Sequence, residues 1–187
     1  NEAPVASHVQ RESVRTIDAT SGNGAEEAID APARVPRSTQ PVRVVIERVG
    51  IDTTITSPQS ADLSVLDRAL LSGAVQYPTG AVLGENGNVF VLAHSSYLPV
   101  VHNEAFRAFN GLGSVVVGDT ISVFSDTHEF MYTVHEAYEA RADEATIAFA
   151  ADVAMLTLAT CDTFGAKEDR FIVHATLTET KPRSRNV

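Results

Sequence analysis

The chain has 187 residues, 44% apolar and 20% charged, which is room for one domain of ordinary size with a sizeable core plus an extension. A net charge of −10 with 14 scattered basic residues argues against a nucleic-acid partner, which needs a concentrated cationic face. A single cysteine excludes an intrachain disulfide framework and a cysteine-rich zinc site, and no run of about 18 apolar residues is present to span a bilayer.

Residues 1–40 combine Ser21-Gly22-Asn23-Gly24 with Pro4, Pro32 and Pro36 and hold almost no large apolar side chain, the composition of a flexible linker. No basic-then-apolar signal peptide leads them. From Pro41 the character changes. Residues 42–49 and 51–55 alternate about Gly50 and predict two strands or one bent strand. Residues 62–71 carry apolar side chains at helical spacing, ended by Ser72-Gly73, and predict a short helix. Residues 76–80 and 84–88 read as turns, the second leading into a strand over 89–93 with His94 at its exit. Residues 103–112 predict a second short helix, with Asn103 as cap and Gly113 as stop. Strands follow over 120–124 and 130–135, with alternation continuing to 140. Glu136, Glu139, Asp143 and Glu144 form an acidic group. They lack the glycine-containing loop of a dedicated calcium site and read as a solvated surface, so no metal and no cofactor is expected.

The run Met155-Leu156-Thr157-Leu158-Ala159-Thr160 predicts a strand that delivers Cys161 at its end. Asp162-Thr163-Phe164-Gly165 reads as a turn, and the last strand runs over 170–178, so a hairpin brings the Arg170 guanidinium beside the thiol. A nearby cation favours thiolate, the nucleophilic form. Taken alone, a free cysteine is more often a small buried hydrophobe and Arg170 a surface ion-pair partner of Glu168 or Asp169. Residues 181–187 are a basic tail. The whole predicts a mostly β fold of seven or eight short strands with two short helices in connections, forming a closed or nearly closed barrel, although a sandwich satisfies the same periodicity.

Thr157-Leu158-Ala159-Thr160-Cys161 resembles the Thr-Leu-x-Thr-Cys signature of sortases, the cysteine transpeptidases of bacterial cell surfaces. The apolar run ending at His94 and Asp169-Arg170-Phe171-Ile172-Val173 resemble two further family features in the family's order. The likeness covers roughly residues 41–180, which makes 41–180 the catalytic domain and implies a sortase-like barrel. It also implies roles: Cys161 as nucleophile on a Leu-Pro-x-Thr-Gly-like sorting signal through a thioester, His94 as proton donor and acceptor, and Arg170 as fixed cation for substrate carbonyls or oxyanion. The implied partners are surface proteins bearing the sorting motif and an amine from a peptidoglycan precursor or a pilin-like protein. The implied location is the extracytoplasmic face of a bacterial membrane; the first residue is Asn rather than Met, and a native anchor is expected outside this stretch. In some sortases the linker folds back as a lid with an Asp-Pro-aromatic motif, which is absent here. Many carry Gly where this chain has Ala93, and the added methyl is expected at the pocket wall. Two other readings fit a lone Cys and a His: a papain-like hydrolase, which would place its cysteine early and at a helix N-terminus, and a non-catalytic cell-surface β-barrel.

Overall fold

Alternation of apolar and polar residues folds the chain into β-strands whose inner positions meet in one core, and their hydrogen bonding closes a ring. The computed structural model describes residues 40–96, 99–141, 146–161 and 169–183. The strands are β1 (Arg43–Ile46), β2 (Ile51–Thr56), β3 (Ala74–Gln76), β4 (Gly87–His94), β5 (Thr120–Phe124), β6 (His128–Arg141), β7 (Ala154–Cys161) and β8 (Asp169–Pro182). They form a closed barrel in the order β1-β2-β3-β4-β7-β8-β6-β5, with β5 returning to β1. The barrel, not the sandwich, is therefore the solution, and the strands among the described residues number eight.

Period two is visible in the packing. Val44 and Ile46 of β1, Ile51 and Ile55 of β2, Ile121 and Val123 of β5 and Phe130, Tyr132 and Val134 of β6 all enter the core, and their neighbours face outward. Strands β4 and β7 are buried along nearly their whole length, which explains their near-continuous apolar runs. Most pairs are antiparallel; β2 with β3 and β4 with β7 are parallel. A parallel pair needs a long crossover, and helix α1 (Leu63–Leu70) lies in the first of these. Its Leu66 and Leu70 pack on Val75 and Leu92, a small second cluster on the face of β4 opposite the core.

The chain returns from α1 through Gly73 at φ +139°, where a Cβ would stand 2.7 Å from the Thr54 carbonyl oxygen, so only glycine lets β3 approach β2 so closely. Strand β3 escapes the sequence reading, which assigned Gln76 to a turn. Three residues are too few to display alternation, and all three are buried. The helical segment expected from Asn103 is present as 3-10 turns over Glu104–Arg107 and Leu112–Ser114. Asn103 Oδ1 caps the first by accepting the Ala105 amide at 3.0 Å, and Gly111 at φ +94° breaks the run earlier than the expected stop at Gly113.

The barrel ends are tied by polar contacts. Arg48, in the 3-10 turn after β1, holds Asp119 at the entrance to β5 through Nε and Nη2, both at 2.6 Å, and donates also to the Ser114 carbonyl. That guanidinium holds the Asp119 carboxyl below the usual carboxylate range. Strand β8 continues through Pro182, and Arg183 donates its amide to Thr127 and its guanidinium to Ser125. The 1–40 segment lies outside the described residues apart from Gln40, as do Asp143 and Glu144.

Candidate active site at the ends of β4 and β7

Parallel pairing of β4 with β7 determines which residues meet. The register runs from Gly87 opposite Ala154 to His94 opposite Cys161, so the two residues singled out from the sequence are Cα partners at the ends of adjacent strands. A slip of one residue would separate them and exchange the inner and outer faces of both strands. Strand β8 pairs with β7 antiparallel, with Ala159 opposite Ile172, and so returns Arg170 to the same end of the sheet. The Arg170 Nη1 donates to the Thr160 carbonyl at 3.1 Å, and the Phe171 amide donates to Thr160 Oγ1 at 3.0 Å. Thr160 thus fastens β8 to the end of β7 by both its hydroxyl and its backbone carbonyl. All three predicted site residues are gathered at one end of β4, β7 and β8.

His94 is 4% exposed. Its ring lies 5.1 Å from that of Phe106, tilted by 48°, and its carbonyl accepts the Phe109 amide at 2.9 Å. One step later, Asn110 clamps Ser96 from both sides: Oδ1 accepts the Ser96 amide and Nδ2 donates to the Ser96 carbonyl, each at 2.8 Å. The 3-10 segment therefore fixes both the ring of His94 and the exit of the chain after it. Asn110 was not recognised from the sequence, which placed it inside the expected helix over 103–112, where an Asn gives no sign of clamping a distant backbone.

Ala93 belongs to the core cluster and is fully buried. Its methyl fills the barrel interior rather than the pocket wall, which corrects the expectation from sequence, because consecutive strand residues face opposite sides.

His174, four residues after Arg170 on β8, stands too far along the strand to serve the same atoms as His94. It lies opposite Thr157, four residues before Cys161, about 13 Å along the strand. Its Nδ1 is 2.8 Å from Thr157 Oγ1 and its Nε2 is 3.4 Å from the Tyr138 hydroxyl. Burial pushes its pKa below the ordinary histidine value, with Glu136 opposing and His135 reinforcing the shift. Behind Thr157 stands buried Asn88, a polar partner the sequence reading had placed in a turn. Glu136 and Glu139 are exposed on β6, and among the described residues no group of three or more His, Cys, Asp or Glu could hold a metal ion.

Solved structures with the same fold include sortase A of Listeria monocytogenes, 21% identical with a TM-score of 0.62 over 79% of this chain and 92% of that one. A sortase D5 transpeptidase of Clostridium perfringens is 26% identical with a TM-score of 0.57, covering 75% of this chain and 79% of that one. Sortase E of Streptomyces avermitilis is 22% identical with a TM-score of 0.60, covering 76% and 91%. No curated protein matches. The family model for the Sortase domain matches residues 44–178, from β1 nearly to the end of β8, and the chain belongs to the sortase family of transpeptidases.

Proposed function

We propose that this sortase cleaves a Leu-Pro-x-Thr-Gly-like sorting signal through a thioester on Cys161 and passes the acyl group to an amine. The observation that carries the reading is the register that pairs His94 with Cys161 at the ends of parallel strands, with the Arg170 guanidinium beside the Thr160 carbonyl. In this scheme the Cys161 sulfur attacks the Thr carbonyl carbon, and the bond to the Gly nitrogen breaks. Protonated His94 gives its proton to the departing amine, then takes one from the incoming amine as that nitrogen attacks the thioester and the sulfur leaves. Arg170 stays a cation throughout, so its part is to hold substrate carbonyls or the oxyanion by directed hydrogen bonds. A strand-end cysteine late in the chain also argues against the papain-like arrangement, which puts its cysteine early and at a helix start.

The amine belongs to a peptidoglycan precursor or a pilin-like surface protein, and the enzyme acts on the extracytoplasmic face of a bacterial membrane, held by an anchor outside this stretch. Residues 1–40 serve as a linker from that anchor to the domain at 41–180, and the basic residues beyond it as a tail. No helix among the described residues is long and apolar enough to cross a membrane.

Incubating the protein with a labelled Leu-Pro-x-Thr-Gly peptide and an amine, followed by intact-mass spectrometry, tests the scheme. The expected result is an acyl adduct in the parent chain, transfer product when amine is present, and neither in Cys161→Ala. An adduct that survives in Cys161→Ala would assign the nucleophile elsewhere.

A further inference from the structure

Asn88, Thr157, His174 and Tyr138 form a polar line across β4, β7, β8 and β6, and its inner end fixes where the protons lie. Asn88 Nδ2 donates to the Ala148 carbonyl at 2.8 Å, so its Oδ1 is the acceptor turned to Thr157. The Thr157 hydroxyl gives its one proton to that Oδ1 at 3.0 Å. His174 Nδ1, 2.8 Å from the same oxygen, must therefore donate, which leaves Nε2 as an acceptor beside the Tyr138 hydroxyl. Asn88 and Thr157 are buried, whereas Tyr138 is 37% exposed and His174 half-buried, so the line surfaces only at this end. Glu136 stands opposite His174 in register and is exposed, which makes the surroundings acidic.

Strand β4 ends at His94, and Asn110 holds Ser96 where the chain leaves the sheet, so along the β4–β7 pair the face runs from the candidate site toward Thr157. In a transfer reaction the acyl half must stay held after the leaving amine has gone, whereas the amine half exchanges. The extended face therefore serves the acyl half. An extended peptide whose attacked carbonyl lies at Cys161 reaches the level of Thr157 after about four residues.

We propose that Tyr138 and His174 form a specificity subsite for a basic side chain of the substrate four to five residues before the attacked carbonyl, with the Tyr138 hydroxyl donating to His174 Nε2 and accepting the substrate's hydrogen bond, and Glu136 supplying the opposite charge. This deepens the transpeptidase reading and rests on it.

The test compares Leu-Pro-x-Thr-Gly peptides carrying Lys, Ala or Glu at the two positions before Leu. Lys is expected to exceed Ala by about five-fold in kcat/KM, mainly through KM, with Glu below Ala. The double variant Tyr138→Phe with His174→Gln, whose amide still donates to Thr157, should bring the Lys-to-Ala ratio close to one. Acidification should do the same as His174 takes a proton at Nε2 and turns from acceptor to cation, its neighbours being His135, Glu136 and Tyr138 on β6, Thr157 on β7 and Thr176 on β8. The Ala peptide at each pH is the reference for the titration of other groups. Equal rates for the three peptides, or a Lys preference that persists in the double variant, would overturn the subsite. No cleavage of any peptide would instead overturn the Cys161 scheme beneath it.

Discussion

The two faces of the β4–β7–β8 sheet are built from alternate residues of the same strands, yet they follow opposite rules. The inner face is apolar and closed: Val89, Val91 and Ala93 of β4, Leu156 and Leu158 of β7, and Val173 and Ala175 of β8 all lie in one core with at most 1% exposure. The outer face carries Asn88, Thr157 and His174, polar groups in largely buried surroundings whose cost is met by hydrogen bonds to one another, and ends at His94. Since one residue of register separates the faces, the packing of the first holds the chemistry of the second in place. Disturbing the inner face should thus act on stability, and disturbing the site end on rate.

The largest departure from this division would come at Arg170. If its planar fork holds carbonyls or an oxyanion, Arg170→Lys should lose about 10²–10³ in turnover and Arg170→Ala more, with little change in melting temperature. The measurement is kcat and KM for peptide transfer beside a melting curve. Near-normal turnover in Arg170→Ala would reduce its guanidinium to a strand-end clamp on the Thr160 carbonyl.

Leu158→Ala should do the reverse. The side chain is fully buried three residues before Cys161, and its removal leaves a cavity worth about 2–5 kcal/mol of stability. Chemical denaturation reads the loss, and molecules that remain folded should retain most of their transfer rate. A rate loss without a stability loss would show that the core face reaches the site by more than register.

The smallest effect is expected at Tyr132, whose ring is buried in the core with a hydroxyl that lies near the Gly84 backbone but makes no well-formed hydrogen bond among the described residues. Burial raises its pKa, and the nearby Gly84 backbone offsets only part of that cost. Tyr132→Phe removes a desolvated polar atom and should leave stability within about 1 kcal/mol of the parent, or raise it. A clear destabilisation by calorimetry would mean that the hydroxyl is satisfied within the core and that the inner face is less uniform than its packing indicates.

Much of this was legible before folding was considered. Alternation located most of the strands, and the stretch ending at Cys161 together with those at His94 and Arg170 pointed to the family. The shortest strand was missed because Ala74–Gln76 carries too little pattern, and the methyl of Ala93 was assigned to the wrong side because its facing depends on which neighbours the strand acquires. Asn110 and Asn88 escaped for a related reason. An Asn within a helical pattern, like Asn110, or in a turn, like Asn88, looks the same whether it points to solvent or clamps a backbone many residues away.

By itself the sequence determined the periodicities, hence a β-rich fold around one core, and the local chemistry of a thiol, an imidazole and a guanidinium. Only the tertiary structure decided that β4 and β7 run parallel in a register placing His94 opposite Cys161, and that Thr157 joins Asn88 to His174. Local sequence sets which side chains alternate along a strand. Pairing partners and register arise from burying those faces together across the 66 residues of chain between His94 and Cys161, information that no single segment holds.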